Sequence, residues 1–380
     1  MTAAPLRLLY VTDGFAPYQL GGMQSYARRQ LDLLAAAGVE VTSISGRGDP
    51  PPASEIGWRN IALPWPQRSL IGRFSPWRYA NDLKAFSRQV TPLIESINPD
   101  IVYSEGPLVH DYLHRPTRPA LVIFNPHGLE MFQPKGSWAE DLKSWPLRGI
   151  VADHARRADW TVSLSAGGAL KRMLIDRIGV PEARIAVLPN AAPAAVSPPR
   201  TGRRGGSARF LFVGRDEPRK ALPLLIDAIR DVPDCELDVV GSEAPTGACL
   251  PHIRFHGPVA DRERVRRFYA DADFLVAPSH AEGMPTVVLE AFAAALPVIV
   301  TDVGANGDMV GEDETGFLIP RADRNALVDA MHRAAVLDDA GYAAMSQRCA
   351  AAASGRFSAE EAGRQLLSLL DHAKRGAARS

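Results

Sequence analysis

Short apolar runs recur along this chain at intervals that a helix can fill, and that alternation limits the fold more than any other feature. In the first half the runs are Leu6 to Thr12, Val39 to Ser45, Ile101 to Ser104, Ala120 to Phe124, Thr161 to Leu164 and Ile185 to Leu188. The rhythm restarts with Arg209 to Val213, Glu236 to Val240, Ile253 to Phe255, Phe274 to Ala277, Pro297 to Thr301 and Phe317 to Ile319. Helical patterns fill the intervals, and strand–helix–strand repetition predicts parallel sheets with helices on their faces. The run Pro297 to Thr301 is rich in β-branched residues, as suits a strand covered on both sides. The fold class is α/β.

Between the two series lies AAPAAVSPPRTGRRGG, Ala191 to Gly206, with proline, glycine and small residues and no apolar period. It reads as a linker. A chain of 380 residues exceeds the usual size of one domain. The expected division is residues 1–190, a linker at 191–206, a second domain at 207–357 and a closing helix and tail at 358–380. Leu366, Leu367, Leu369 and Leu370 give that last helix its packed stripe. Open parallel sheets bind ligands outside the carboxyl ends of their strands, so two of them place the site in the cleft between them.

Charge gives no reason to expect a nucleic acid, since 43 Lys and Arg balance 43 Asp and Glu. Only the first 190 residues lean basic, with 21 Lys and Arg against 17 Asp and Glu. Three cysteines, Cys235, Cys249 and Cys349, suit neither a disulfide framework nor a zinc site and fit a reducing cytoplasm. No 18-residue apolar run occurs, and the first residues read as a strand and not as a signal segment. The segment Trp65 to Tyr79 mixes Arg68, Arg73 and Arg78 with Trp65, Phe74, Trp77 and Tyr79. Such a mixture can meet an anionic membrane, giving a cytoplasmic protein peripheral contact with the inner membrane face, or its aromatics can pack inward.

Several positions combine chemistry with a strand's carboxyl end. In Pro278 to Gly304 a loop carrying Glu282 and Gly283 runs into an apolar helix that Pro285 is suited to start. That helix holds one charge, Glu290, which must find a partner: a backbone amide, an arginine or a ligand. After the strand ending at Asp13, Gly21 and Gly22 precede a helix. They form either a tight turn or a place where a phosphate approaches backbone N–H groups. The dinucleotide pattern G-x-G-x-x-G is absent there, which lowers a dehydrogenase reading. Arg215 and Lys220 follow the strand ending at Val213, a fork and a point charge suited to a diphosphate or simply to solvent. His127 follows the strand ending at Phe124, where it can serve a substrate or tie down its own loop.

These residues carry a resemblance. The chain resembles the retaining nucleotide-sugar glycosyltransferases of family 4, whose GT-B architecture sets two Rossmann-like domains face to face, with a C-terminal helix packing back toward the N-terminal one. Glu282 and Glu290 match the family's E-x7-E motif. Gly21-Gly22, Gly214-Arg215 with Lys220, Thr315-Gly316-Phe317-Leu318 and Phe357-Ser358 match in support. The resemblance implies that Glu290 holds the nucleotide ribose and that Arg215 and Lys220 hold the diphosphate. It implies further that Glu282, Gly283, Met284, Pro285 and Thr286 meet the donor sugar, and that Gly21 and Gly22 approach the phosphates from the other domain. His127 would lie by the sugar and acceptor, and the base by Gly241 and His256. Two departures stand out: Ala221 where the family usually has glycine, and Pro189-Asn190-Ala191-Ala192-Pro193 where it has Pro-Asn-Gly-Val-Asp.

The implied activity moves a hexose-type sugar, without a metal or other cofactor, from a UDP- or GDP-linked donor to a cell-surface glycan or lipid-linked acceptor. The alternatives are a sugar-nucleotide epimerase or hydrolase on the same fold, and a non-catalytic nucleotide-sugar-binding protein.

Overall fold

A computed structural model describes residues 6–16, 22–48, 51–66, 77–194, 196–203, 205–244, 252–311 and 314–377. Gly21, Arg68, Arg73, Phe74 and Cys249 lie outside the described residues. Two parallel sheets form the framework. The first contains β1 (Arg7–Thr12), β2 (Glu40–Ser45), β3 (Arg59–Ala62), β4 (Ile101–Glu105), β5 (Leu121–Asn125), β6 (Trp160–Ser163) and β7 (Ile185–Val187). Its spatial order is β3-β2-β1-β4-β5-β6-β7. The second contains β8 (Ala208–Val213), β9 (Cys235–Val240), β10 (Ile253–Phe255), β11 (Phe274–Ala277), β12 (Val298–Thr301) and β13 (Gly316–Ile319), in the order β10-β9-β8-β11-β12-β13.

Each apolar run of the sequence became a strand, and β3 is an addition. β3 carries a single large apolar residue, Ile61, at a sheet edge where no side chain is fully buried, so it lacks the signal of the others. The central strands show why theirs is strong: β4, β11 and β12 are buried at every position. In both sheets the first strand lies between the second and the fourth, β1 between β2 and β4, and β8 between β9 and β11. At such a reversal the crossing helices diverge and leave a crevice at the strands' carboxyl ends.

The segment 191–206 is not a loose tether. Ala191 and Ala192 are buried, and the amide of Ser197 donates to the Ala293 carbonyl at 2.6 Å. Arg200 donates to the Tyr269 carbonyl at 2.8 Å and to the Tyr342 hydroxyl at 3.2 Å, while its amide donates to Ser346 Oγ at 2.9 Å.

The C-terminal helix Ala359–Ala377 packs back on the first domain. Ser358 Oγ accepts from the Glu361 amide at 3.1 Å and holds the helix start. Gly363 lies against Leu33 of the helix Gly22–Ala36, and a side chain at 363 would collide with it. His372 stands edge-on to Trp160 with centroids 5.3 Å apart. Among the described residues no helix is long and apolar enough to cross a membrane.

Candidate functional site

The loop after β11 is built around Glu282, which is almost fully buried. Its carboxylate accepts from Lys220 Nζ at 2.6 Å, from Ser279 Oγ at 2.8 Å and from Arg219 Nη1 at 3.1 Å. Burial pushes this carboxyl up, and Lys220 and Arg219 more than offset that, so it rests below the ordinary carboxylate range. The first domain reaches the same residue. Gln133 Nε2 donates to the Glu282 carbonyl at 2.7 Å, and the Glu282 amide donates back to Gln133 Oε1 at 3.3 Å.

The neighbouring backbone is equally constrained. Gly304, at φ +59°, has no room for a side chain against the Glu282 and Gly283 carbonyls, and the Ala305 amide donates to the Gly283 carbonyl at 2.8 Å. A side chain at 283 would stand 2.9 Å from the His127 carbonyl of the facing domain. Met284 Sδ lies 3.1 Å from the Asn190 amide. Pro285 is the residue before the helix Thr286–Ala293, one position earlier than its expected place in the first turn. No side chain caps that helix, which leaves its first N–H groups available to a ligand.

Glu290, the single charge of that helix, accepts from the Tyr269 hydroxyl at 2.7 Å. Burial raises its carboxyl, and the Tyr269 hydrogen bond with the fields of Arg29 and Arg262 draws it part of the way back. The partner is therefore a phenol, with two arginines nearby, one of them from the facing domain.

Lys220 and Arg215 do not sit alike. A tight turn, Pro218–Lys220, ends at Ala221 in the left-handed conformation, φ +53°, and aims Lys220 inward. Arg215 has 82% of its side chain exposed and pairs with Glu217 at 2.7 Å. The cation beside Lys220 is Arg219, whose Nε also meets Glu217 at 2.9 Å. Arg219 cannot be singled out from sequence, because one of three closely spaced cations carries no mark of which will face inward.

Gly214, Gly241 and Gly257 draw the ends of β8, β9 and β10 together. At φ +95°, a side chain on Gly241 would stand 2.7 Å from the Gly214 carbonyl, and the Gly241 amide donates to the Gly257 carbonyl at 2.8 Å. His256 is held by Asp238 at 2.6 Å and lies on Phe268, with ring centroids 4.4 Å apart.

Across the cleft His127 sits at φ +59°, its amide donating to Asn125 Oδ1 at 2.9 Å. Its Nε2 meets Glu105 Oε2, and the Tyr10 hydroxyl donates to Glu105 Oε1. Burial lowers the imidazole to about 3 and holds the Glu105 carboxyl well above its ordinary range. Both shifts favour the neutral forms. Glu105 was not singled out from sequence. The signal present was an acidic residue closing a buried strand and pairing in register with Asn125, two residues before His127. Gly22 begins the helix Gly22–Ala36 after β1, and nearby Asp13, also buried, accepts from Gln24 at 2.9 Å.

Trp65 packs inward, stacked on Phe86 at 4.9 Å with Arg47 over its ring at 4.0 Å. Trp77 stays outside, edge-on to Trp145 at 5.5 Å. Trp145 belongs with Trp138 and Leu142 to an exposed apolar stretch of the helix Trp138–Arg157, on which Trp138 is 80% exposed.

Two facing parallel sheets, each reversing at its first strand, with polar loops meeting across the gap, are the GT-B class of fold. Comparison with known proteins places the chain within it. Residues 20–196 match the profile of Glycosyltransferase Family 4, and residues 207–336 match that of Glycosyl transferases group 1. The chain is 28% identical over 339 residues to the phosphatidyl-myo-inositol mannosyltransferase of Mycobacterium leprae, covering 82% of this chain and 83% of that one. Sucrose-phosphate synthase from Thermosynechococcus elongatus has a similar fold, with TM-score 0.76 and 21% identity over 97% of this chain and 98% of that one. Anabaena HepE in complex with UDP gives TM-score 0.68 and 16% identity, covering 97% of this chain and all (100%) of that one. The chain belongs to the group 1/family 4 glycosyltransferases and is a glycosyltransferase.

Proposed function

We propose that the enzyme moves a hexose from a UDP- or GDP-linked donor to a glycan or lipid-linked acceptor, with retention at the anomeric carbon. The observation that carries this reading is the Glu282 node, where Lys220 is fixed at the end of a strand and Gln133 crosses from the facing domain. Lys220 has three N–H donors and uses one on Glu282, so others remain for a diphosphate. Arg215, open at the same loop, supplies a fork, and the uncapped helix Thr286–Ala293 adds its positive end. Charge that develops on the leaving diphosphate would meet donors already in place, which is where such stabilisation is strongest. With the acceptor attacking from the face that the diphosphate leaves, the leaving group can take the acceptor's proton, and this chemistry requires no metal in the cleft. Glu290 would hold the ribose and the backbone around Gly241 and His256 the base; Gly21 and Gly22 would approach the phosphates, and His127 the sugar.

The exposed Trp77, Trp138, Leu142 and Trp145 favour an acceptor at a lipid surface, on the cytoplasmic side. A thermal-shift panel of UDP-, GDP-, ADP- and CMP-linked sugars tests the donor, since a ligand of the native state raises Tm by mass action. A shift with a UDP- or GDP-sugar, followed by formation of a glycoside of unchanged anomeric configuration, is the expected result. Free sugar or an epimerised nucleotide sugar, with no glycoside, would overturn it. Trp138→Ala with Trp145→Ala should abolish sedimentation with anionic vesicles; unchanged sedimentation would remove this surface from the acceptor side.

A further inference from the structure

A second cluster of chemistry-bearing side chains lies outside the Glu282 node. His110 and His114 are four residues apart, at the start of the short helix His110–Leu113 and just past its end. Asp153 projects toward both from the helix Trp138–Arg157. Its Oδ2 lies 3.5 Å from His110 Nδ1 and 3.3 Å from His114 Nε2, and the three atoms all lie within 4.8 Å of one another. A tetrahedral ion with bonds of about 2.0–2.1 Å keeps its ligand atoms about 3.3–3.4 Å apart. The two edges at Asp153, 3.5 and 3.3 Å, lie close to that spacing.

Each group is oriented from outside the triad. His114 Nδ1 meets the His110 carbonyl at 2.7 Å. A carbonyl only accepts, so Nδ1 carries a proton, and Nε2 is the nitrogen turned toward Asp153. Arg157 Nε donates to Asp153 Oδ1 at 2.8 Å, which reserves Oδ2 for the imidazoles. His154 stacks on His110, with centroids 5.3 Å apart and planes 24° from parallel, and holds that ring in place. His110 Nδ1 and Asp153 Oδ2 are both buried without a hydrogen bond. An acceptor oxygen between two ring nitrogens calls for a shared positive centre, and three oriented nitrogen and oxygen donors are the set that zinc and its neighbours take.

We propose that His110, His114 and Asp153 bind a divalent ion of the zinc class. The ion fastens the segment after β4 to the helix Trp138–Arg157, with a fourth position left to water. Its role is to hold structure, and it is separate from the sugar-transfer chemistry.

The test uses the untagged full chain, stripped with chelator, dialysed metal-free at pH 7.5 and titrated with Zn²⁺ alone by calorimetry. One equivalent should bind. Co²⁺ in its place should show the intense visible bands of a four-coordinate ion. Zinc at about one hundred times its Kd should raise Tm by at least about 4 °C. His114→Ala and Asp153→Asn should each weaken binding at least about tenfold, and Asp153→Asn keeps the shape of the site if the alanine variant fails to fold. His332→Ala, on another helix, should bind as the wild type does. The absence of a stoichiometric site in the wild-type chain, or wild-type affinity in Asp153→Asn, would overturn the proposal; the first result would mean that a proton, not a metal, sits between the rings and the carboxylate.

Discussion

Glu105 and Glu282 occupy related places beside the reversal: Glu105 is the last residue of the fourth strand of its sheet, and Glu282 lies in the loop after the fourth strand of the other. Their side chains are 0% and 6% exposed, so burial alone would make them alike. Glu282 is surrounded by Lys220, Arg219 and Ser279 and stays ionised. Glu105 has a phenol and an imidazole beside it, and burial raises its carboxyl well above the ordinary range. One architecture thus presents a fixed charge on one wall and, on the other, a buried pair whose shifts favour the neutral forms, and the difference lies in the neighbours.

The largest expected effect separates chemistry from stability on the charged wall. Lys220→Ala and Arg215→Ala should each slow turnover with a verified donor by about two to three powers of ten. Lys220→Ala should also lower the stability of the free enzyme by about 3 kcal/mol, because it leaves Glu282 short of a partner. Arg215→Ala, on an exposed side chain, should leave Tm unchanged. Equal Tm losses, or wild-type turnover in both, would dissolve the distinction.

The two glutamates can then be compared directly by urea unfolding at pH 7. Glu282→Gln removes the counter-charge of two cations and should cost about 3 kcal/mol. Glu105→Gln should cost less than about 1 kcal/mol, since its amide can accept from Tyr10 and donate to His127 as the protonated carboxyl does. A larger loss at 105 would mean that Glu105 is ionised.

Their pH dependences should have opposite sign. Above the ordinary imidazole value of 6.5 an unfolded chain has shed the protons of both His127 and Glu105, whereas the native pair still holds one. Stability should therefore fall as pH rises past that point, by about 1.4 kcal/mol per unit until the native carboxyl ionises, and Glu105→Gln should remove that limb. The Glu282 contribution is complete above the ordinary carboxyl value of 4.5 and is lost as pH falls through its depressed native value. Glu282→Gln should therefore flatten the acid limb. Unfolding curves from pH 2 to 9 would show either pattern.

The smallest effect concerns the loop that aims Lys220. Ala221 holds φ +53°, a conformation that costs a residue with a Cβ about 1 kcal/mol. Ala221→Gly should stabilise by about that amount, raising Tm by about 2 °C.

Legibility followed burial. Strands covered on both faces, such as β11 and β12, announce themselves as apolar runs, while β3, half-exposed at an edge, does not. Lys220 and Glu282 stand out in the sequence because each lies in a loop after an apolar strand, and Glu290 because it is the one charge of an apolar helix. Arg219, Gln133 and Glu105 do not. Gln133 meets Glu282 across a sequence separation of 149 residues, and Glu105 becomes special only when β4 and β5 pair and bring it beside His127. Contacts of that kind depend on how the sheets are placed, and no local pattern records them. The phenol on Glu290 is a further case, since Tyr269 belongs to the preceding helix, Arg262–Asp271.

The return of the last helix to the first domain has a topological effect. The chain crosses between the sheets near Ala192 and crosses back near Phe357, and the amide of one donates to the carbonyl of the other at 2.8 Å. The two passages run side by side, joined at one point. A protease cut anywhere in 193–203 would therefore not release two separate halves. The second fragment would still carry a helix seated in the first, against Leu33 and Trp160, and the nicked protein would leave a sizing column as one species.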